Sequence, residues 1–185
     1  NEKRKNPAMK NDFMFISESV TEGHPDKLCD QISDAIVDRF LQHDPLARIR
    51  AECATACSII YIAARFASPA VVNFSRIARQ VIDMVGYKDT DFNSQNCSIV
   101  TSIKELPQIR GQRFDEHQLD DEAIDQIPVQ DQATVFGFAC NQTAACLPLP
   151  IWLAHKLARR LSSVRHQKIL PYLAPDGKTQ VGIEY

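Results

Sequence analysis

The stretch that decides the fold is FISESVTEGHPDKLCDQISDAIVDRFL, residues 15–41. Its first residues predict a short apolar strand, and the segment from Pro25 to about Gln42 predicts a helix. Pro25 suits the first helical position, because an N–H group there would have no partner within the helix. The apolar residues that recur at helical spacing are Leu28, Ile32, Ala35, Ile36 and Phe40. The stretch therefore predicts a strand that leads through a charged turn into an amphipathic helix.

Five ionisable residues crowd this turn, namely Glu18, Glu22, His24, Asp26 and Lys27. A helix start presents free N–H groups and the positive end of the helix dipole, and both favour phosphate. Asp26 could bind Mg²⁺ through oxygen, and His24 could donate a hydrogen bond to a phosphoryl or ribose oxygen. The spacing alone leaves open, and even favours, the alternative that these residues cap the helix and face water.

The composition is that of a globular chain of ordinary size. Its 185 residues are 44% hydrophobic and 24% charged, with a formal net charge of -2. This charge gives no global attraction to nucleic acid or membrane, and no apolar run is long enough to span a bilayer. We see no secretory segment, and the first residue, Asn1, indicates a tag remnant or a trimmed end. The six cysteines form no C-x-x-C pair, so we expect no zinc site and a cytoplasmic location, with Cys29, Cys97 and Cys140 buried.

The first hundred residues predict an α/β unit in the order strand, helix, strand, helix, strand. After the opening strand and helix, residues 57–66 are β-branched and apolar and predict a buried strand. Residues 68–86 predict a second helix, for which Gly86 is a natural C-terminal cap. Residues 96–103 predict the strand that follows it.

The remaining chain predicts a long loop and then a second, incomplete unit. Residues 104–130 are polar and acidic without periodicity, and a loop of this length is usually functional or mobile. Residues 131–150 have strand-like character, and residues 149–167 predict a helix. The side chains of this helix expected to point inward are Trp152, Leu153, Leu157 and Leu161. A turn at residues 175–177 and the alternation up to Tyr185 predict a last strand.

Other charged residues have both a structural and a functional interpretation. Lys178 follows a Pro-Asp-Gly turn and Asp131 begins a predicted strand, so turn formation and exposure to solvent are the commoner roles. Glu52 lies in a segment that heads into the core, where a carboxylate requires a partner or a cation. His155 is interpreted as a satisfied polar contact, and the Arg-Arg pair at 159–160 as a solvated helix face.

The opening stretch closely resembles the N-terminal signature of S-adenosylmethionine synthetases, also called methionine adenosyltransferases. Four later segments agree in order and spacing, namely IARQVIDMVGY, DQATVFGFACNQT, LPLPIWLAHKL and LPYLAPDGKTQV. The resemblance covers about residues 13–185 and corresponds to roughly the first half of the usual family chain.

The resemblance implies a fold and a domain division. The fold is α/β, of the α+β type, with repeated βαβ-like units whose mixed sheets pack with helices on one face, and the second unit is incomplete. The implied divisions are a flexible arm at 1–12, an N-terminal domain at 13–103, a loop or linker at 104–130 and the first part of a central domain at 131–185.

The resemblance also implies a chemistry. In the family, the methionine sulfur attacks C5′ of ATP and displaces the whole tripolyphosphate, which is then hydrolysed to pyrophosphate and phosphate. Such a leaving group requires Mg²⁺, ammonium groups and a proton donor. By resemblance His24 lies at the C5′–O5′ bond and the phosphates, and Lys27 belongs to the same polyanion cluster. Lys178, with Asp176 and Gly177, would hold ATP and its phosphates.

The cofactors implied by the resemblance are Mg²⁺ and K⁺. Asp26 corresponds to a magnesium ligand, and Glu18 would support the same metal region. Glu52 matches the acid that helps to bind K⁺. Asp131 matches the acid near the adenosine and the reacting sulfur, and with His24 and Lys178 completes the implied catalytic set.

The chain departs from the family pattern on the methionine side. Ala56 replaces the lysine of the usual Thr-Lys-Thr-Gly run. Arg65 stands where the family has its methionine-contacting Glu, and a positive charge there repels the amino group of methionine. Glu105 begins a segment that is Gln-Ser-Pro-Asp-Ile in the family, and Pro128 stands in a motif that has lost three glycines.

Three interpretations of these departures stay open. The chain is one subunit of a split synthetase, completed by a complementary subunit or by a homo-oligomer. It is a catalytically impaired homologue that acts as a regulatory or structural partner of a full synthetase. It is a truncated piece of a divergent synthetase. A stand-alone module that binds nucleotide or polyphosphate is the alternative outside the family.

Overall fold

The computed structural model describes residues 12–88, 91–107, 116–127 and 132–185, without the side chain of Glu116. The elements in chain order are β1 (Met14–Val20), α1 (Pro25–His43), β2 (Arg48–Ala56), β3 (Ile59–Ala67), α2 (Phe74–Val85), β4 (Ser98–Glu105), a 3₁₀ turn (Glu116–Gln118), α3 (Asp121–Asp125), α4 (Leu149–His166) and β5 (Lys178–Glu184). The opening stretch forms the predicted strand, turn and helix, and α2 ends at Gly86, whose φ of 92° is left-handed.

The strands form two sheets. In the larger sheet β2 and β3 are antiparallel and β4 lies parallel to β3. In the smaller sheet β1 pairs with β5 in antiparallel register, from Met14 opposite Glu184 to Val20 opposite Lys178. The mixed sheets with their helices confirm the predicted fold class. The second pairing also brings the two ends of the described chain together.

The hydrophobic core lies between α1, α2 and one face of the larger sheet. Its largest buried side chains on α1 are those predicted from the helical spacing, with Leu28, Ile32, Ile36 and Phe40 at 1% exposure or less. They pack with Ile60 and other inward residues of β3. Each such burial contributes about 1.5–3 kcal/mol. The opposite face of this sheet is exposed.

The prediction of one strand in the hairpin region is incomplete. Residues 48–56, which had no element assigned, form β2, and a tight turn with Cys57 at φ 52° joins it to β3. Strand β2 alternates between half-buried and exposed side chains, and it exposes Arg50 and Glu52. Because it covers the core with one face only, its sequence is less apolar than that of β3.

Three further predictions are wrong. No strand forms in the described part of 131–150, where Val135, Phe136 and Phe138 are more than three-quarters exposed. Strand β4 continues to Glu105 and α3 forms at Asp121–Asp125, so the 104–130 segment is not all loop. Leu157 is 51% exposed, because α4 packs through smaller residues. Those buried on α4 are Pro150, Ala154 and Ala158.

Helix α4 is anchored on the smaller sheet. The small side chains of Ala154 and Ala158 allow close approach, and the Thr179 hydroxyl of β5 donates to the Ala154 carbonyl at 2.8 Å.

Among the described residues, no helix combines the length and the apolar character that crossing a membrane requires.

The cysteine predictions hold in part. Cys29 and Cys97 are buried, whereas Cys140 is only half-buried, and all six thiols are free. Burial raises the pKa of Cys29 and raises that of Cys53 to about 12, which keeps both thiols protonated.

Candidate functional site

The charged turn forms one wall of a cavity of about 830 Å³. Strand β1 and the start of α1 contribute to the same wall, α4 forms the facing wall, and β5 contributes its first residue. Its ionisable lining residues are Glu18, Glu22, His24, Asp26, Lys27, His155, Arg159 and Lys178. Acidic and basic groups from four elements thus surround one space.

The turn is fixed by backbone contacts with residues more than 150 positions away. The Thr21 N–H donates to the Gly177 carbonyl at 2.8 Å, and the Thr21 hydroxyl donates to the Pro175 carbonyl at 2.6 Å. The Gly23 N–H donates to the same Pro175 carbonyl at 3.2 Å. A Cβ on Gly23 would lie 2.5 Å from that oxygen, so only glycine fits. These contacts fix the turn before β5 and so position Lys178 at the cavity.

Glu22 is clamped from α4. The Arg165 guanidinium donates to its carboxylate and, at 3.0 Å, to the Val85 carbonyl at the end of α2. Ser162 donates to the same carboxylate at 2.9 Å, and a His166 ring nitrogen lies 2.8 Å from it. Burial alone would raise the pKa of Glu22. Hydrogen bonds from Arg165, its own backbone, Ser162 and His166 outweigh burial and lower that pKa from 4.5 to about 2.

His24 caps the start of α1. Its Nδ1 accepts from the Asp26 N–H at 3.3 Å, so the imidazole is held at the helix N-terminus. The Tyr87 hydroxyl donates to the Gly23 carbonyl and supports the residue before it. The Asp26 carboxylate is 93% exposed and is therefore accessible to a cation.

Lys178 and Glu18 form an ion pair at the rim of the cavity. Gln180 donates to the same carboxylate at 2.9 Å across the β1–β5 pair. Both members of the ion pair are partly exposed, so solvent weakens their attraction. An anion that enters the cavity can therefore take the place of Glu18 beside Lys178.

The α4 wall contains residues whose role sequence reasoning missed. His155 Nδ1 lies 2.7 Å from the Ser19 hydroxyl of β1, and Arg159 lines the cavity one helical turn further on. Together with Ser162 they follow the i, i+4, i+7 spacing of one helix face. This spacing is the sequence signal that could have grouped these polar residues on one helix face.

The structure does not bring together every residue named from the sequence. Asp176 is exposed in the turn before Lys178, and Gly177 contributes its carbonyl to Thr21 and does not line the cavity. Glu52 lies on the exposed face of the larger sheet, where Arg50 Nε is 3.1 Å from its carboxylate. Asp131 lies outside the described residues.

Three of the residues that the resemblance marks as different on the methionine side also lie at the larger sheet, and the fourth, Pro128, lies outside the described residues. Arg65 is directly opposite Arg50 on one side and beside Lys104 on the other. All three side chains are exposed on the same face. Ala56 ends β2 and Glu105 ends β4. Ala56, Arg65 and Glu105 therefore do not line the cavity.

Two carboxylates of the cavity fit a magnesium ion bound together with phosphates. Mg²⁺ is usually held by one or two carboxylates, with substrate phosphates and water completing its shell. Glu18 and Asp26 line the same cavity and meet that need, although no cluster of three metal-binding side chains occurs in the described part of the chain. Glu52 does not line this cavity, so a potassium ion bound by it would need its other ligands from elsewhere.

Comparisons with known proteins cover nearly the whole chain. The S-adenosylmethionine synthetase N-terminal domain matches residues 12–108, and the S-adenosylmethionine synthetase central domain matches residues 126–185. S-adenosylmethionine synthases of Prochlorococcus marinus (strain NATL1A) and Gloeothece citriformis are 43% and 46% identical over 179 and 181 residues. Each alignment covers 94% of this chain and 43% of the relative. The chain therefore spans less than half the length of the curated relatives it matches.

Proposed function

This chain belongs to the S-adenosylmethionine synthetase family, and on that premise we propose that it takes part in making S-adenosylmethionine from ATP and methionine. It does so as one part of an oligomer or of a split enzyme, in the cytoplasm, where free cysteines persist. The observation that carries the proposal is the cavity in which His24, Lys27 and Lys178 meet two exposed carboxylates.

The phosphate side of the reaction follows from this arrangement. The methionine sulfur forms a bond to C5′, the C5′–O5′ bond breaks, and its electron pair leaves with the tripolyphosphate. His24, held at the helix start, donates a hydrogen bond at the leaving oxygen. Lys27 and Lys178 neutralise the departing polyanion, as do the N–H groups at the start of α1.

Magnesium, when bound, would neutralise further phosphate charge, with Asp26 and Glu18 as its protein ligands. In the present geometry Glu18 is paired with Lys178. Phosphate binding would therefore exchange partners, because Lys178 turns to the anion and Glu18 is released for the metal. We assign K⁺ to the complete assembly, in which Glu52 would need oxygen ligands from elsewhere.

The adenosine and methionine side is completed outside the described residues. Asp131 is the proposed acid near the adenosine and the sulfur. The exposed face of the larger sheet is the proposed contact with a second copy or a complementary subunit, which would supply the missing groups. We also propose that the assembly cleaves the tripolyphosphate. We propose further that residues 104–130 link the N-terminal domain to the first part of the central domain.

The second candidate function is that of a catalytically impaired partner of a full synthetase. The observation that favours it is the row of three cations formed by Arg50, Arg65 and Lys104. An amino group approaching this row is repelled, so methionine would bind poorly there. Assaying S-adenosylmethionine formation by the chain alone, and with a full-length or complementary chain, separates the two. Turnover only with a complementary chain indicates a split enzyme, and association without turnover indicates a regulator.

The experiment that tests the polyphosphate role is calorimetric titration of tripolyphosphate into wild-type and Lys178→Ala chains. We expect the variant to lose affinity by about 100-fold, because a charge-assisted contact is removed and Glu18 is left unpaired in the cavity. Lys156→Ala is the matched control, since that ammonium stacks on the Trp152 ring at 3.7 Å and does not line the cavity. Equal affinity of all three chains would refute the role of Lys178.

A further inference from the structure

The cations of the cavity differ in what already neutralises them. Lys178 is paired with Glu18, and His24 is engaged in capping α1. Within the described ranges, Lys27 and Arg159 have no ion-pair partner. They approach the same space from two elements, Lys27 from the start of α1 and Arg159 from the middle of α4.

We propose that Arg159 is a polyphosphate-binding residue, which contacts the anion from the α4 wall, opposite His24 and Lys27. The inference rests on the proposed function, since it takes the ligand of the cavity to be a polyphosphate. It adds a binding residue from a helix that the chemistry described above does not use.

The chemistry of the Arg159 side chain suits a polyphosphate. A guanidinium presents parallel N–H groups that match two phosphate oxygens, and it keeps its charge at any relevant pH. A chain of phosphates has several anionic groups in line, so it can contact cations on two facing walls at once. A single turn at the start of α1 can satisfy only part of such a ligand.

The part of α4 that contains Arg159 is held in place on both sides. Arg159 lies between two anchored positions of α4, because Ala154 accepts from Thr179 and Arg165 clamps Glu22. The guanidinium therefore approaches from a fixed helix, and less conformational freedom is lost when it binds. His155, one turn earlier, is already in contact with Ser19 across the cavity, so the two walls are in register.

Arg159 and its neighbour Arg160 differ in their position relative to the cavity. Arg160 is exposed on the same helix, as Arg159 is, but it does not line the cavity. The sequence alone treats the two arginines as one solvated face. Their positions in the fold separate them, and this makes Arg160 the matched control.

The test is calorimetric titration of tripolyphosphate, without metal, into Arg159→Gln and Arg160→Gln chains at one fixed ionic strength. We expect Arg159→Gln to weaken binding by about tenfold, and Arg160→Gln by less than about twofold, because its charge is outside the cavity and is screened by salt. Arg159→Lys keeps the charge without the fork and should lie between them. Equal affinities of the two glutamine variants would overturn the inference.

The Lys178→Ala chain, titrated in parallel, shows which claim fails. If the wild type binds and Lys178→Ala does not, equality of Arg159→Gln and Arg160→Gln refutes the role of Arg159 alone. If the wild type does not bind tripolyphosphate, the polyphosphate function and the inference fail together. Circular dichroism of each variant confirms folding, and both arginines are at exposed helix positions where glutamine is well tolerated.

Discussion

The cavity and the open face of the larger sheet both contain charged residues, but the two regions hold them in different ways. In the cavity, the Glu22 carboxylate accepts from the Arg165 and Ser162 side chains of α4, and Arg165 also donates to the Val85 carbonyl of α2. The neighbouring turn is hydrogen-bonded to backbone carbonyls of the turn before β5. On the sheet face, Arg50, Arg65 and Lys104 are exposed, and no element of the described residues covers them. In the cavity, Glu22 and Arg165 hold elements of the fold together, whereas the charged side chains on the sheet face are exposed.

This difference affects how easily a residue in each region can change its charge. A residue that also supports a turn cannot change without moving the backbone around it. An exposed residue on a sheet can change its charge at a cost of a few tenths of a kcal/mol. Ala56, Arg65 and Glu105, which the resemblance marks as different from the family, lie on this sheet or at its ends.

The largest effect should come from breaking the Glu22–Arg165 clamp. Arg165→Met removes the main partner of a carboxylate that is only 22% exposed, and we expect a loss of about 3 kcal/mol of unfolding free energy. Urea denaturation measures it, with the exposed Arg160→Met as the control, expected within about 0.5 kcal/mol of wild type. A loss below about 1 kcal/mol for Arg165→Met would contradict a structural role for the clamp.

The clamp also predicts a pH dependence. The folded-state pKa of Glu22 is about 2 against 4.5 ordinarily, so its contribution is fully present above pH 4.5. It decreases as the pH falls from 4.5 towards 2, because the unfolded chain takes up a proton first. Glu22→Gln should remove this part of the acid dependence, and an unchanged acid profile would mean that other carboxylates dominate.

A smaller effect is expected from the packing of the turn. Gly23→Ala places a methyl group 2.5 Å from the Pro175 carbonyl oxygen, so the turn before β5 must shift. We expect a loss of about 2 kcal/mol together with weaker tripolyphosphate binding, since Lys178 moves with that turn. Gly137→Ala is the control, because nothing lies within 4 Å of a Cβ there. Equal stability of the two alanine variants would show that the turns are not locked together.

The smallest effect belongs to the sheet face. Arg65→Glu places an acid between the exposed Arg50 and Lys104 side chains, and we expect the unfolding free energy to change by less than about 0.5 kcal/mol. In an assembly that makes S-adenosylmethionine, the same change should lower the KM for methionine. Arg65→Gln removes the repulsion without adding a negative charge. If Arg65→Glu leaves the methionine KM unchanged, Arg65 is not in the methionine pocket.

The periodic elements were predictable from the sequence, and the contacts between distant segments were not. Helices α1 and α2 follow their apolar spacing, and β5 follows its alternation. Helix α4 forms where it was predicted but buries Ala154 and Ala158 in place of the larger residues. Strand β2 was missed, because its exposed Arg50 and Glu52 interrupt the apolar pattern that identifies a buried strand. The strand predicted at 131–150 needs a partner to pair with, and propensity alone does not supply one.

The site was predictable to the same degree. The charged turn and Lys178 were singled out from local patterns that resemble the family. His155 and Arg159 were missed, because they reach the cavity only through the packing of α4 on β1 and β5. Glu52, which the resemblance matches to a potassium-binding acid, lies on the exposed face of the larger sheet and not in this cavity, and its role stays a prediction.

The most direct test of the central claim, that this cavity binds polyphosphate, is to follow the five histidine rings by NMR during a tripolyphosphate titration. We predict that the ring signals of His24 and His155, which line the cavity, shift together and saturate, whereas those of His43 and His117 stay in place. Saturating tripolyphosphate that leaves His24 and His155 unmoved, or that shifts all the rings alike, would contradict it.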